Sequence, residues 1–202
     1  MPFELKIPER EYGGYIFDLD GTLADSMNYH FTAWTDAVRA QGFDIDWSRE
    51  LFNTMAGMNV RETVDRINRH FGISLDARRT AREKIRRYEE LAPNLKPVPP
   101  VYRFAKEVYE KNLARAVGTG APRLDALATL DAIDAHDWFD VVVTQEDVKN
   151  GKPDPETFLV AAEKMGVDPK TCLVLEDSEL GIRAAKAAGM EVIRIPIDWD
   201  RE

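Results

Sequence analysis

The sequence predicts an α/β protein: a Rossmann-like, doubly wound parallel sheet core with an inserted all-helical cap domain. Two observations predict this class. After residue 97, short apolar runs alternate with amphipathic stretches, which is the pattern of repeated βαβ units. Between the first apolar run and residue 96, the apolar residues recur only at helical spacing. We therefore expect the core in residues 1–23 and 97–202, and the cap in residues 24–96.

The cap region contains three helical patterns. The first follows a strand at about 14–19, has Ser26 as its expected N-cap, and ends at Gly42. The second runs from Val60 to Phe71, and the third is a long basic helix from about Asp76. The basic residues of that last helix are Arg78, Arg79, Arg82, Lys84, Arg86 and Arg87. Most of their charges are expected to lie on a solvated face.

The return to the core begins at a proline-rich stretch, residues 93–100, which predicts a hinge. Four further strands are expected at 113–117, 141–143, 173–175 and 192–195. Helices at about 122–135, from Asp154, and at 180–188 separate them. Right-handed crossovers then bring the carboxyl ends of all strands to one edge of the sheet, where open α/β sheets bind their ligands.

Composition excludes several classes of function. The chain has 202 residues and a net charge of −9, which argues against a nucleic-acid-binding surface. Its single cysteine, Cys172, cannot form an internal disulfide, and no apolar stretch has the length of a membrane span or a signal core. We expect a cytoplasmic monomer that binds neither nucleic acid nor membrane.

Polar residues follow four of the predicted strands. The first strand ends in Asp18 and Asp20, which face the same way because side chains alternate along a strand. Two adjacent carboxylates are costly unless a cation or a proton lies between them. The other strand ends carry Gly118-Thr119-Gly120, Lys152 before Pro153, and Glu176-Asp177. Amides, a hydroxyl and an ammonium suit a phosphate, and paired acids suit a hard divalent cation.

Each of these signals has a plainer interpretation when it is taken alone. Asp-x-Asp is compatible with a solvated turn, a single lysine is usually exposed, and Asp177 could simply cap the following helix. Gly-x-Gly is also weak. A dinucleotide-binding fingerprint would need a third glycine where Arg123 stands, and it would follow the first strand, so we reject that reading.

Taken together, the motifs resemble those of the haloacid dehalogenase superfamily, in particular its β-phosphoglucomutase and fructose-1-phosphate phosphatase branch. The string Asp18-Leu19-Asp20-Gly21-Thr22 is similar to the first motif of that superfamily. Thr119, then Lys152-Pro153, then Glu176-Asp177 follow in the order of its later motifs. The resemblance extends over nearly the whole chain, from about residue 14 to residue 195.

The resemblance implies a mechanism and a metal. Asp18 would be the nucleophile and Asp20 the general acid and base, while Thr119 and Lys152 would neutralise the transferred phosphoryl group. Mg²⁺ would be held by Asp18, the Asp20 carbonyl group, Glu176 and Asp177. Asp20 also separates phosphate-handling members from dehalogenases, which lack this acid in their pattern.

The resemblance also suggests substrate-binding residues: Gly57, Arg61 and Lys84 in the cap, His30 beside the nucleophile loop, Gly120 in the phosphate loop, and Arg123 for a distal phosphate. A solvated arginine and a packed histidine remain the alternatives for Arg123 and His30. The glycine-to-arginine spacing in the cap is one residue longer than in mutases. Ala121 and Pro122 replace the serine and lysine that mutases tend to carry.

The expected function is therefore hydrolysis of a small sugar phosphate, similar to fructose 1-phosphate, by a Mg²⁺-dependent phosphatase acting through an aspartyl phosphate. The alternative is a β-phosphoglucomutase-like mutase, which would return the phosphoryl group to a sugar rather than to water. A second alternative is a phosphate-binding or phospho-accepting regulatory module without turnover. Such modules place the accepting aspartate on a later strand and lack a large helical cap.

Overall fold

The computed structural model describes residues 3–196 as a five-stranded parallel sheet with helices on both faces. The strands are β1 Gly14–Phe17, β2 Arg115–Gly118, β3 Val141–Val143, β4 Cys172–Glu176 and β5 Glu191–Arg194. The helices are α1 Met27–Arg39, α2 Arg49–Asn53, α3 Val60–Phe71, α4 Ala77–Leu91, α5 Pro99–Glu110, α6 Arg123–Ala132, α7 Glu156–Met165 and α8 Glu179–Ala187. The expected α/β class with an inserted helical cap is confirmed.

The sheet has the order β3-β2-β1-β4-β5, so β1 lies in the centre. Its side chains alternate between two apolar layers, because successive residues of a strand point to opposite faces. Tyr15 and Phe17 pack in the layer that includes residues of α5 and α6. Ile16 packs in the opposite layer with residues of α7 and α8. Burial on both faces explains why the strands read as continuous apolar runs rather than as alternating ones.

The cap comprises α1 to α4, inserted between β1 and α5. It has an apolar cluster of its own, which includes Trp34, Phe52 and Ile67. The two chain segments that connect it to the core run side by side. The Asp25 amide donates to the Lys96 carbonyl at 2.9 Å, and the Val98 amide donates to the Leu23 carbonyl at 2.9 Å. The predicted division after residues 23 and 96 stays a prediction.

Several local details differ from the sequence-based expectations. β1 ends at Phe17 rather than near residue 19, because the Leu19 carbonyl accepts turn hydrogen bonds from the Leu23 and Ala24 amides. α1 ends at Arg39, so Gly42 lies in the following turn with a φ of 85°. α7 begins at Glu156, one residue later than the proline signal suggested. No helix in residues 3–196 is both long and apolar enough to cross a membrane.

Candidate active site

Three strands, β1, β2 and β4, bring polar residues to one edge of the sheet, as the winding of the fold requires. Asp18 directly follows β1, and Thr119 directly follows β2. Glu176 ends β4, and Asp177 comes next. The Thr119 amide donates to the Val143 carbonyl at 2.9 Å, while its hydroxyl oxygen accepts from the Ala121 amide at 3.0 Å. The phosphate loop predicted from Gly118-Thr119-Gly120 is therefore fixed by one hydrogen bond to the end of β3 and by one within the loop itself.

A buried acid cluster, Asp18, Glu176 and Asp177, surrounds one lysine. The Lys152 ammonium donates to Asp18 Oδ1 at 2.5 Å and to Glu176 Oε2 at 2.6 Å. Thr22 donates its hydroxyl to Asp177 Oδ1 at 3.0 Å. All three acids and the lysine are at most 5% exposed. One ammonium thus faces three carboxyl groups away from water, which leaves negative charge uncompensated.

The pKa values of these groups reflect that imbalance. Burial raises the pKa of the Asp18 carboxyl well above its ordinary value, and the Glu176 charge raises it further, although Lys152 opposes both effects. Burial and the charge of Glu176 also raise the pKa of Asp177 to about 7. For Lys152, burial lowers the pKa, but the charges of Asp18 and Glu176 outweigh burial and raise it. The site stabilises positive charge more than it stabilises its own carboxylates.

The same three acids fit a divalent metal ion. One carboxylate oxygen from each of Asp18, Glu176 and Asp177 lies within 4.8 Å of the other two, which makes them candidate ligands among residues 3–196. Ser178 donates twice to Glu176 Oε1 and Lys152 donates once to Oε2, so Oε2 keeps a free lone pair. Buried carboxylates with too little positive charge suit a hard cation such as Mg²⁺ or Ca²⁺.

Asp20 has a different environment from Asp18. Its Oδ1 accepts the Ser26 hydroxyl at 2.6 Å and lies 2.7 Å from His30 Nε2. Burial would raise the pKa of Asp20, but the charge and hydrogen bond of His30, with the Ser26 hydrogen bond and the charge of Lys84, together outweigh burial and lower that pKa to about 2. Ser26 was expected to cap α1, yet its hydroxyl makes no capping bond because it is turned towards Asp20. Both partners therefore hold Asp20 as a carboxylate.

A cavity lies between the strand ends and the cap. The core side is formed by Asp18, Asp20, Thr119, Gly120, Glu176 and Asp177. The cap side includes His30, Trp34, Phe52, Gly57, Met58 and Lys84. Cap and core also approach each other closely at two glycines, Gly57 and Gly120. A Cβ atom on Gly120 would lie 2.7 Å from the Gly57 carbonyl oxygen, so a larger residue at 120 would push the loops apart.

Not all of the predicted substrate-binding residues line this cavity. Arg61 is exposed on α3, and Arg123 pairs with Asp147 through its Nη2 atom at 2.5 Å. Neither arginine is among the residues that line the cavity. Lys84 does line it, but its ammonium is paired with Asp125. The structure thus groups His30, Gly57, Gly120 and Lys84 around the cavity and places Arg61 and Arg123 elsewhere.

The profile of one family, described as haloacid dehalogenase-like hydrolase, matches residues 15–195. The chain belongs to this family. Among its relatives, fructose-1-phosphate phosphatase YqaB of Escherichia coli (strain K12) is 34% identical over 186 residues, which cover 91% of this chain and 96% of the relative. The phosphorylated carbohydrates phosphatase of Thermotoga maritima is 36% identical over 182 residues, or 88% and 82% of the two chains. Beta-phosphoglucomutase of Bacillus subtilis is 30% identical over 188 residues, or 89% and 81%.

Solved structures agree with this assignment. CbbY from Rhodobacter sphaeroides, in complex with phosphate, superposes with a TM-score of 0.84 at 28% identity, covering 95% of this chain and 89% of that one. The protein is therefore a haloacid dehalogenase-like hydrolase, homologous to sugar-phosphate phosphatases and phosphomutases. The family resemblance read from the five motif residues 18–22 is confirmed.

The sequence analysis missed residues that support those it found. Tyr88 stacks on His30 with ring centroids 4.1 Å apart and planes 2° apart. Asp125 is fully buried behind Lys84. The spacing of Thr80, Lys84 and Tyr88, four residues apart, could have shown which face of the basic helix is buried. No comparable signal marks Asp125.

Proposed function

We propose that this hydrolase is a Mg²⁺-dependent phosphatase that hydrolyses a small sugar monophosphate, similar to fructose 1-phosphate, through an aspartyl phosphate on Asp18. One observation carries the proposal: the Asp18 carboxylate, held by Lys152 beside Asp177, lines a cavity that a helical cap covers. A nucleophile, a cation-binding acid pair and a substrate chamber are thereby combined in one place. We also infer a cytoplasmic monomer, as the composition suggested.

The chain's own residues would perform two transfers. In the first, an Asp18 oxygen attacks phosphorus, the ester P–O bond breaks, and the leaving oxygen takes a proton from Asp20. In the second, water attacks the same phosphorus, gives its proton to Asp20, and the Asp18–phosphorus bond breaks to release phosphate. Thr119 and Lys152 would hold the phosphoryl oxygens throughout. Bound Mg²⁺, held by Asp18, Asp177, Glu176 and the Asp20 carbonyl group, would neutralise phosphoryl charge.

The surroundings of Asp20 suit the second transfer best. Ser26 and His30 stabilise its carboxylate, which is the form that accepts a proton from water. For the first transfer Asp20 must carry a proton, so the hydrogen bond to His30 has to loosen or reverse when substrate binds.

Hydrolysis is favoured over mutase activity by the position of the arginines. A mutase has to hold the distal phosphate of a bisphosphate while the other one is transferred, and arginine is the side chain best suited to that task. Arg61 and Arg123 do not line the described cavity, and Arg123 is already paired with Asp147. The names of two relatives, a fructose-1-phosphate phosphatase and a phosphorylated carbohydrates phosphatase, support a sugar monophosphate as substrate.

A regulatory module without turnover is the less favoured alternative. Its accepting aspartate would be expected on a later strand, whereas Asp18 follows β1. A receiver-like module would also lack the four helices that separate β1 from α5. The cap and the cavity beneath it are features of a protein that encloses a small substrate.

A phosphate-release assay with a panel of sugar, polyol and aryl monophosphates tests the proposal. With Mg²⁺ we expect turnover of a ketose or hexitol monophosphate, loss of turnover in excess chelator, and recovery when Mg²⁺ is added back. A parallel assay follows conversion of β-glucose 1-phosphate to glucose 6-phosphate in the presence of its bisphosphate. Isomerisation that outpaces phosphate release would identify a mutase. A folded protein that neither releases phosphate from any ester nor isomerises glucose 1-phosphate would overturn both enzymatic hypotheses.

A further inference from the structure

Lys84 is the lysine that the cap contributes to the lining of the cavity. Its side chain is only 4% exposed, although it lies on a helix whose other basic residues are mostly at the surface. Among the described residues that line the cavity, it carries the one ammonium group, and none carries a guanidinium. A free ammonium at this place would attract a second negative charge on a substrate.

Lys84 is not free, because Asp125 holds it from the core side. Asp125 lies on α6, its side chain has no exposure, and its Oδ2 atom accepts from the Lys84 ammonium. The other oxygen, Oδ1, has no hydrogen-bond partner within residues 3–196. Asp125 therefore depends on Lys84 for the hydrogen bond its side chain makes in this structure. A buried carboxylate in that position holds its counter-ion firmly, since losing it would leave an isolated buried charge.

The pair is part of a longer contact between α4 and α6. One turn beyond Lys84, the Tyr88 hydroxyl lies 2.7 Å from Thr129 Oγ1, one turn beyond Asp125. Thr129 in turn donates to the Asp125 carbonyl at 2.8 Å. The Lys84 ammonium also lies 4.8 Å above the Tyr88 ring, within the range of a cation–π contact. The ammonium is thus held against Asp125 and the Tyr88 ring, while Lys84 still lines the cavity.

We propose that Asp125 is a specificity-determining residue: by occupying the Lys84 ammonium, it presents a neutral pair to the leaving group and selects esters whose leaving group carries no second negative charge. The inference rests on the proposed phosphatase function and adds the substrate class. Neutral sugars and polyols are accepted as leaving groups, whereas phosphorylated or carboxylated ones find no cation. Asp125 acts through Lys84 and touches no substrate itself, so it is a positioning residue.

The test compares wild type with Asp125→Asn, using fructose 1-phosphate and fructose 1,6-bisphosphate as matched ligands. Calorimetric dissociation constants are measured with Mg²⁺ in an Asp18→Asn background, in which neither ligand is hydrolysed, and kcat/KM values are measured with Mg²⁺ in proteins that keep Asp18. Release of the ammonium should improve the bisphosphate-to-monophosphate ratio of affinities, and of kcat/KM, by roughly tenfold, because a hydrogen bond to a charged group is gained. The gain should appear in KM rather than in kcat. A ratio within about twofold of wild type overturns the proposal.

Two further variants separate charge from structure. Thr129→Val breaks the Tyr88 contact but leaves the charges, so both ligands should be affected equally; a selective gain for the bisphosphate would contradict the assignment to Asp125. The double variant Asp125→Asn/Lys84→Met replaces the neutral ion pair by two neutral side chains and should keep the wild-type ratio within about twofold, which decides the matter if Asp125→Asn alone does not fold. A selective loss of bisphosphate binding in the double variant would show that Lys84 itself holds the second phosphate and would overturn the proposal. If Asp125→Asn shifts the ratio of affinities as expected but no protein hydrolyses either ligand, the phosphatase function is refuted and the role of Asp125 is supported.

Discussion

Two clusters of charged residues, one buried around Lys152 and one partly exposed around Asp147, are balanced in opposite ways. In the active-site cluster, Asp18, Glu176 and Asp177 share Lys152, and burial together with mutual repulsion raises the pKa values of Asp18 and Asp177. The second cluster is centred on Asp147, which accepts from Thr144, Arg123 and Lys164. There burial would also raise the pKa, but those partners outweigh it and lower the pKa of Asp147 to about 2.

The difference shows what each cluster is built to do. A carboxylate that accepts several hydrogen bonds and ion pairs, as Asp147 does, stabilises the folded protein without any ligand. Buried carboxylates that share too few donors, as Asp18, Glu176 and Asp177 do, destabilise the folded protein when no ligand is bound. Such destabilisation is typical of sites that bind a cation or carry out chemistry. The comparison predicts that neutralising an acid should have opposite effects on stability in the two clusters.

The largest effect is expected for Asp18→Asn. An amide is nearly isosteric but cannot form the acyl phosphate, so turnover should fall by at least about 10⁴-fold, in line with the loss of other nucleophiles. Without metal, the midpoint of thermal unfolding should not fall, because one of the repelling acids has been removed. Phosphate release and circular dichroism melting measure the two quantities. Activity near that of wild type would assign the nucleophile to another residue.

Asp20→Asn should have the next largest effect. General acid–base catalysis contributes on the order of 10²–10⁴-fold, so a sugar phosphate with a poor leaving group should lose that much in kcat. A nitrophenyl phosphate, whose leaving group needs no proton, should lose less. Measuring kcat for both esters with each protein checks the role, and equal losses would exclude Asp20 as the general acid.

Much of this site could be predicted from the sequence because the relevant signals are local. Apolar runs that end in Asp18, Thr119 and Glu176 predict strand ends, and the winding rule for parallel sheets places those ends together. In the cap, the bounds predicted for α3 match the structure, whereas α1 ends at Arg39, before the glycine that was expected to end it.

The remaining features depend on contacts between distant parts of the chain. The partner of Lys84 lies 41 positions away, and the sequence contains no pattern that links the two residues. The same holds for Arg123, which was expected to bind a distal phosphate but pairs with Asp147, 24 positions later. Charge complementarity alone cannot identify such pairs in a chain with 27 basic and 36 acidic residues.

A smaller effect is expected for Asp147→Asn, and here stability should fall. The variant loses its ion pairs with Arg123 and Lys164, so the free energy of unfolding at pH 7 should decrease by about 1–2 kcal/mol. Asp147 has a lowered pKa in the folded state, so it contributes stability above its ordinary value of 3.8 and loses it as the pH falls towards 2. Urea unfolding of both proteins at several pH values should therefore show a difference that shrinks below pH 4. A constant difference would mean that the charge of Asp147 is not its cause.

The smallest effect is expected for Arg123→Ala. The Arg123 side chain is 44% exposed, and its partner Asp147 keeps Lys164 and Thr144, so the free energy of unfolding should change by less than about 1 kcal/mol. Lys164→Ala is the matched control, since Lys164 is 43% exposed and contacts the other oxygen of the same carboxylate. Both variants should alter KM for a sugar monophosphate and for a bisphosphate by the same small factor, because neither side chain lines the described cavity. If Arg123→Ala alone raised KM for the bisphosphate, the arginine would have to leave Asp147 when substrate binds, and the Asp147 cluster would no longer be purely structural.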